Sequence, residues 1–112
     1  MMKIEKRQEK DVTILDLKGK ILIGDGIDEL RAAINNAIKA KETKLLLNFK
    51  DVPYLDSTGL GEVVRSYTSI KKEGGAVKIL NLTQKVKDLL SVTKLITVFE
   101  TFEDEKKAIS SF

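Results

Sequence analysis

The chain has 112 residues, 42% apolar and 33% charged, and its length suits one domain with a core that needs no staples. It contains no cysteine and no histidine, which excludes disulfides, thiolate catalysis, zinc sites built on those residues and Ser–His–Asp chemistry. Twenty basic and seventeen acidic side chains are interspersed, and aromatics make up 5%, so neither the basic footprint nor the stacking platform of a nucleic-acid binder is present.

The N-terminus, Met1-Met2-Lys3-Ile4-Glu5-Lys6, turns charged at once and lacks a signal-peptide core. No apolar run approaches the ~20 residues that span a bilayer. Membrane insertion is therefore not expected, and a cytoplasmic location is. Residues 2–10 alternate weakly and suit an edge strand with Met2 and Ile4 on one side. Val12-Thr13-Ile14-Leu15-Asp16-Leu17 is a stronger strand, rich in β-branched residues. The short Lys10-Asp11 connection implies an antiparallel hairpin.

Gly19-Lys20 marks a turn, and Ile21-Leu22-Ile23 reads as a short strand. Gly24-Asp25-Gly26 lacks the third glycine of a dinucleotide fingerprint and reads as a tight turn, with Asp25 as a helix cap. A helix from about Gly26 to Lys41 places Ile27, Leu30, Ile34, Ala37 and Ile38 on one face. Asp28 and Glu29 in its first turn, with Lys39 and Lys41 in its last, complement the helix dipole. Lys44–Phe49 is an apolar run of strand length, as expected of a strand covered on both faces. Lys50-Asp51-Val52-Pro53 turns the chain.

A second long helix follows, with Leu60, Val63, Val64, Tyr67 and Ile70 on one face and a stop at Gly74-Gly75. Ala76–Leu82 is the next strand. Thr83 caps a helix carrying Val86, Leu89 and Leu90. Residues 93–99 read as a turn and a short strand near Val98-Phe99. Thr101-Phe102-Glu103-Asp104 looks like a capping box with Asp for Glu, opening a helix with Ala108, Ile109 and Phe112. The alternation predicts one α/β domain. Its sheet is mixed and largely parallel, with an antiparallel N-terminal edge and about four helices.

Ligands and partners of such a sheet gather at the carboxyl ends of its strands. Two acid-bearing, glycine-rich helix starts fall there: Gly24-Asp25-Gly26 and Asp56-Ser57-Thr58-Gly59-Leu60-Gly61. Ser57 and Thr58 are hydroxyls at a helix N-terminus, an end that favours anions. Gly59 and Gly61 leave the first turn bare for something large to approach. The plain reading of Ser57 is a helix N-cap; the sharper one is a phosphorylated switch.

Val52-Pro53-Tyr54-Leu55-Asp56-Ser57-Thr58-Gly59-Leu60-Gly61 resembles the signature of the STAS domain of bacterial anti-sigma factor antagonists. The resemblance extends over the chain through the early hairpin, Gly19, the Lys44–Phe49 strand and Gly74-Gly75. It implies a protein that binds an anti-sigma factor, itself a serine kinase, while unphosphorylated. Phosphorylation of Ser57, with Thr58 as second candidate, would break that complex, and a separate serine phosphatase would reset it. Asp56 matches the family's acid before the serine, and the position of both helix starts at the carboxyl ends of the strands predicts a partner-binding rim of Asp25, Asp56, Ser57, Thr58, Gly59 and Gly61. The sequence departs from one family habit: Gly19-Lys20-Ile21-Leu22 has no acid directly after it, and Asp25 comes three residues later.

Two other readings compete. A non-switching STAS subunit of a transporter or stress-sensing assembly would share fold and rim. An enzyme using Asp25, Asp56 and Ser57 would lack a base for Ser57 and a phosphate-cradling Gly-x-x-x-x-Gly-Lys motif. No catalytic residue, metal or cofactor is expected. Glu62 and Arg65 read as helix-surface charges without a role.

Overall fold

The computed structural model describes residues 2–112, and its first elements are the expected hairpin: β1 (Lys3–Glu9) paired antiparallel with β2 (Val12–Lys18). Lys10 takes a positive φ of 58° in the turn between them. Then come α1 (Ile27–Lys39), β3 (Lys44–Asp51), α2 (Ser57–Lys72), β4 (Ala76–Leu80), α3 (Gln84–Val92), β5 (Thr101–Phe102) and α4 (Glu105–Ser110). The sheet order is β1-β2-β3-β4-β5, and every pair after the first is parallel.

Alternation along the strands builds two unequal cores. On one face Leu15, Leu17, Leu45, Leu47 and Phe49 meet the buried residues of α1, α2 and α3. On the other, Val12, Ile14, Leu46 and Leu80 are covered by Ala108, with Ile109 and Phe112 packed alongside. The unbroken apolar run in β3 serves both faces.

α4 has six residues, too few to be stable alone, and is pinned at both ends. At its start, the Arg7 guanidinium joins Glu105 (2.6 Å) and Asp16 (2.7 Å). Asn48 adds a hydrogen bond to Asp16 at 2.8 Å. Just beyond its end, the buried Lys78 ammonium donates to the Ser111 carbonyl (2.6 Å) and lies 4.8 Å from the Phe112 ring centroid.

The expected elements are corrected in four places. Ile21-Leu22-Ile23 does not join the sheet: Ile21 bridges Leu55 and Leu22 bridges Asp25, because the segment lies over the start of α2 instead of beside β3. The strand near Val98-Phe99 is absent, since Leu95–Thr97 forms a 3₁₀ turn and Phe99 is buried, its ring edge-on to Tyr67 at 5.3 Å. The last strand instead occupies Thr101–Phe102, so the cap of α4 is Asp104, which accepts from the Lys107 N–H at 3.2 Å. Thr83 stands at the N-cap of α3, but its hydroxyl donates to the Val52 carbonyl at 2.9 Å, not to the helix.

Candidate functional site

β3 ends at the rim expected to carry function. Beyond it Val52 and Leu55 are buried, which draws residues 52–55 against the core and sets the start of α2. The Ile21 N–H donates to the Tyr54 carbonyl (3.2 Å), and the Asp56 N–H donates to the Ile21 carbonyl (3.3 Å). The segment after β2 is thereby laid across the beginning of α2.

Asp56, and not Ser57, is the N-cap of α2. Its extended backbone (φ −91°, ψ −178°) lets Oδ1 accept from the Gly59 N–H at 2.7 Å. Oδ2 accepts from the Ile23 N–H at 3.1 Å. One carboxylate thus holds both a helix end and a loop. The N–H groups of Gly59, then Ile23, keep its carboxyl below the usual carboxylate range.

Ser57 and Thr58 occupy the first two positions of α2 and are exposed. Neither hydroxyl has a side-chain hydrogen bond among the described residues. Ser57 is thus relieved of capping and presented to solvent at the positive end of a 16-residue helix.

The two glycines of the motif divide their work. A Cβ on Gly59 would lie 2.0 Å from the Ile21 carbonyl oxygen, so its missing side chain is used inside the molecule. A Cβ on Gly61 would meet nothing within 4 Å, so this position alone keeps the exposed face bare.

Asp25 sits half-buried in the tight turn, where the Leu22 N–H donates to the Asp25 carbonyl (2.6 Å) and the Asp25 N–H to the Leu22 carbonyl (2.9 Å). It does not cap α1. Gly26 holds that place with φ 102°, and Glu29 reaches back to the Gly26 N–H at 3.2 Å. A side chain on Gly26 would strike the Lys20 carbonyl oxygen at 2.4 Å, which is why the turn must end in glycine. The structure therefore links the two helix starts through Ile21 and Ile23.

Three features escaped the sequence reading. Ile23 is 74% exposed and Tyr54 46%, both within reach of the α2 start. The signal for Ile23 was its place next to Gly24, which reads as a turn once Ile21–Ile23 is freed from the sheet. Glu62 is not a surface charge: its side chain is 2% exposed and lies 2.8 Å from both Arg31 and Arg65. Arg65 stands three residues further along α2, but the second partner, Arg31, arrives from α1, 31 residues earlier. The Glu62 carboxylate raises the Arg31 pKa further.

Chemically, the rim is suited to recognition. Asp56 has both oxygens engaged and so is not poised as a base for Ser57. Among the described residues no group of three or more acidic, His or Cys side chains converges on a metal position. No helix among them is long and apolar enough to cross a membrane.

Comparison with known proteins places the fold in a family. The chain is 26% identical over 110 residues to the anti-sigma F factor antagonist of Paenibacillus polymyxa, covering 97% of this chain and 93% of the relative. It is 39% identical over 56 residues to the anti-sigma-B factor antagonist of Bacillus subtilis strain 168, about half of each protein (50% and 51%). An anti-sigma factor antagonist from Mycobacterium paratuberculosis has the same fold, with a TM-score of 0.86 at 17% identity over 99% of this chain and 93% of that one. So does a sulfate transporter family protein from Wolinella succinogenes, at 0.78 and 21% identity over 95% and 88%. The phosphorylated form of the Bacillus cell fate determinant SpoIIAA matches at 0.73 and 20% identity over 99% and 98%. The STAS domain model matches residues 3–108, nearly the whole of the described fold, and the chain belongs to the STAS domain family.

Proposed function

We propose that this chain is an anti-sigma factor antagonist that works by partner switching. Unphosphorylated, it binds an anti-sigma factor that is also a serine kinase, and so frees the sigma factor. The partner contacts the rim formed by Asp25, Asp56, Ser57, Thr58, Gly59 and Gly61. Asp56 and Gly59 act from beneath by shaping the rim. Phosphorylation of Ser57 ends the complex, a serine phosphatase restores it, and the cycle is cytoplasmic. The curated relatives named as antagonists support this reading. The observation that carries it is the Ser57 hydroxyl, exposed and unbonded at the first position of α2 because Asp56 has taken over the cap.

Electrostatics make the switch effective without any change of fold. A phosphate adds roughly −2 charge. At ~5 Å from one partner carboxylate it costs about 6 kcal/mol at an effective dielectric of ~20. A third of that, after screening, weakens binding roughly thirty-fold.

The test is a pull-down from host lysate with wild type and Ser57→Asp as baits, read by mass spectrometry. Retention of a small ATP-binding kinase by wild type alone is expected. Transporter or sensor subunits on both baits would replace this reading with that of a non-switching STAS subunit, whose fold the Wolinella protein shares.

A further inference from the structure

We infer that Ile23 is the apolar anchor of the rim, and that the anti-sigma factor kinase carries an apolar pocket for it beside the cleft that receives Ser57. This rests on the partner-switching reading and adds to it the chemistry of the partner's surface.

Four large apolar side chains stand out from the surface among the described residues: Ile23 at 74%, Tyr54 at 46%, Val92 at 81% and Val98 at 42% exposed. A single exposed apolar residue needs no explanation. Ile23 differs in how it is held and where. Its backbone N–H is fixed by Asp56, the turn around it is closed by reciprocal Leu22–Asp25 bonds, and Gly24 beside it takes φ 79°. The side chain is thus displayed by a pinned backbone, which lowers the entropy lost when a partner covers it.

Tyr54 adds a second apolar surface to the same edge, since its carbonyl accepts from the Ile21 N–H. The occupant follows from the geometry. Asp56 bonds Ile23 at 3.1 Å and immediately precedes Ser57, so a protein surface that takes up the Ser57 hydroxyl also reaches Ile23. Enclosure of a pinned aliphatic anchor next to the phosphorylation site also excludes water there, and like charges repel more strongly when water is excluded.

Full burial of an isoleucine is worth roughly tenfold to a hundredfold in affinity. The experiment uses the kinase captured by the wild-type bait, purified, and titrated calorimetrically with wild type, Ile23→Ser, Ile23→Leu and Val92→Ser. Val92, the last residue of α3, is the control of comparable exposure, 81% against 74% for Ile23. The expected result is about tenfold or greater weakening for Ile23→Ser, near wild-type affinity for Ile23→Leu and Val92→Ser, and unchanged melting temperatures. Should Ile23→Ser melt low, Ile23→Lys decides, because it keeps an aliphatic stem on the surface and places a charge in the pocket: retained affinity overturns the inference. Wild-type affinity for Ile23→Ser overturns it while the switching reading stands. Failure of wild type to bind any ATP-binding kinase removes both.

Discussion

The Asp56 carboxylate holds the Ile23 N–H at 3.1 Å with one oxygen while its other oxygen caps α2 through Gly59. Loop placement and helix capping are therefore one interaction. Whatever disturbs Asp56 disturbs the surface on both sides of Ser57.

Asp56→Asn and Asp56→Ala separate the two roles. Asparagine keeps an acceptor for the Gly59 N–H, but its amide nitrogen cannot accept from Ile23. Asp56→Ala is expected to lower Tm by about 5 °C, as loss of a good cap does, and Asp56→Asn by less. Amide exchange at Ile23 should accelerate in both variants. Protection of Ile23 in Asp56→Asn equal to wild type would show that the loop does not depend on this carboxylate.

Gly59 and Gly61 should respond oppositely to alanine. Gly59→Ala drives a methyl against the Ile21 carbonyl oxygen, a contact of 2.0 Å that backbone movement alone relieves. A cost of about 2–3 kcal/mol is expected. Gly61→Ala enters open space on a helix and is expected to stabilise by up to about 1 kcal/mol. Urea denaturation of the two variants measures the contrast, and equal effects would refute the division of labour between them.

The Arg7 clamp predicts how stability depends on acid. Arg7 holds the Asp16 and Glu105 carboxyls below their ordinary values of 3.8 and 4.5. Its own pKa is raised, first by Glu105 and then by Asp16. Carboxyls with depressed folded-state pKa values stabilise fully above their unfolded values, and this contribution is lost as pH falls through the folded ones. Arg7→Met should cost about 1–2 kcal/mol near neutrality, discounted because the pair is partly exposed. The gap between wild type and Arg7→Met should be constant above about pH 5 and narrow below about pH 4. Chemical denaturation across that range measures it, and a gap that stays constant into acid would show that Arg7 does not stabilise the fold through these carboxylates.

The strands and helices were legible where local pattern decides. The apolar run of β3, the helical spacing from Leu60 to Ile70 and the Lys10-Asp11 hairpin all form as read. Contacts between distant segments were not legible. Asp56 and Ser57 are both good caps by chemistry, and the carboxylate that takes the cap also accepts from Ile23, which lies 33 residues earlier. Ile21-Leu22-Ile23 has the composition of a strand, yet its partner is Leu55 on the rim. The buried stripe of α2 takes in Gly59, Glu62 and Ser66, residues that an apolar count omits. Gly59 makes room for Ile21, the Ser66 hydroxyl donates to the Glu62 carbonyl, and the Glu62 carboxylate is covered by two arginines.

The most direct test of the switch is a calorimetric titration of the purified anti-sigma factor kinase with this protein in two forms, unphosphorylated and phosphorylated at Ser57 alone. Affinity at least roughly thirty-fold weaker is expected for the phosphorylated form, with Tm within a few degrees of the unmodified protein. Equal affinity for the two forms would contradict it.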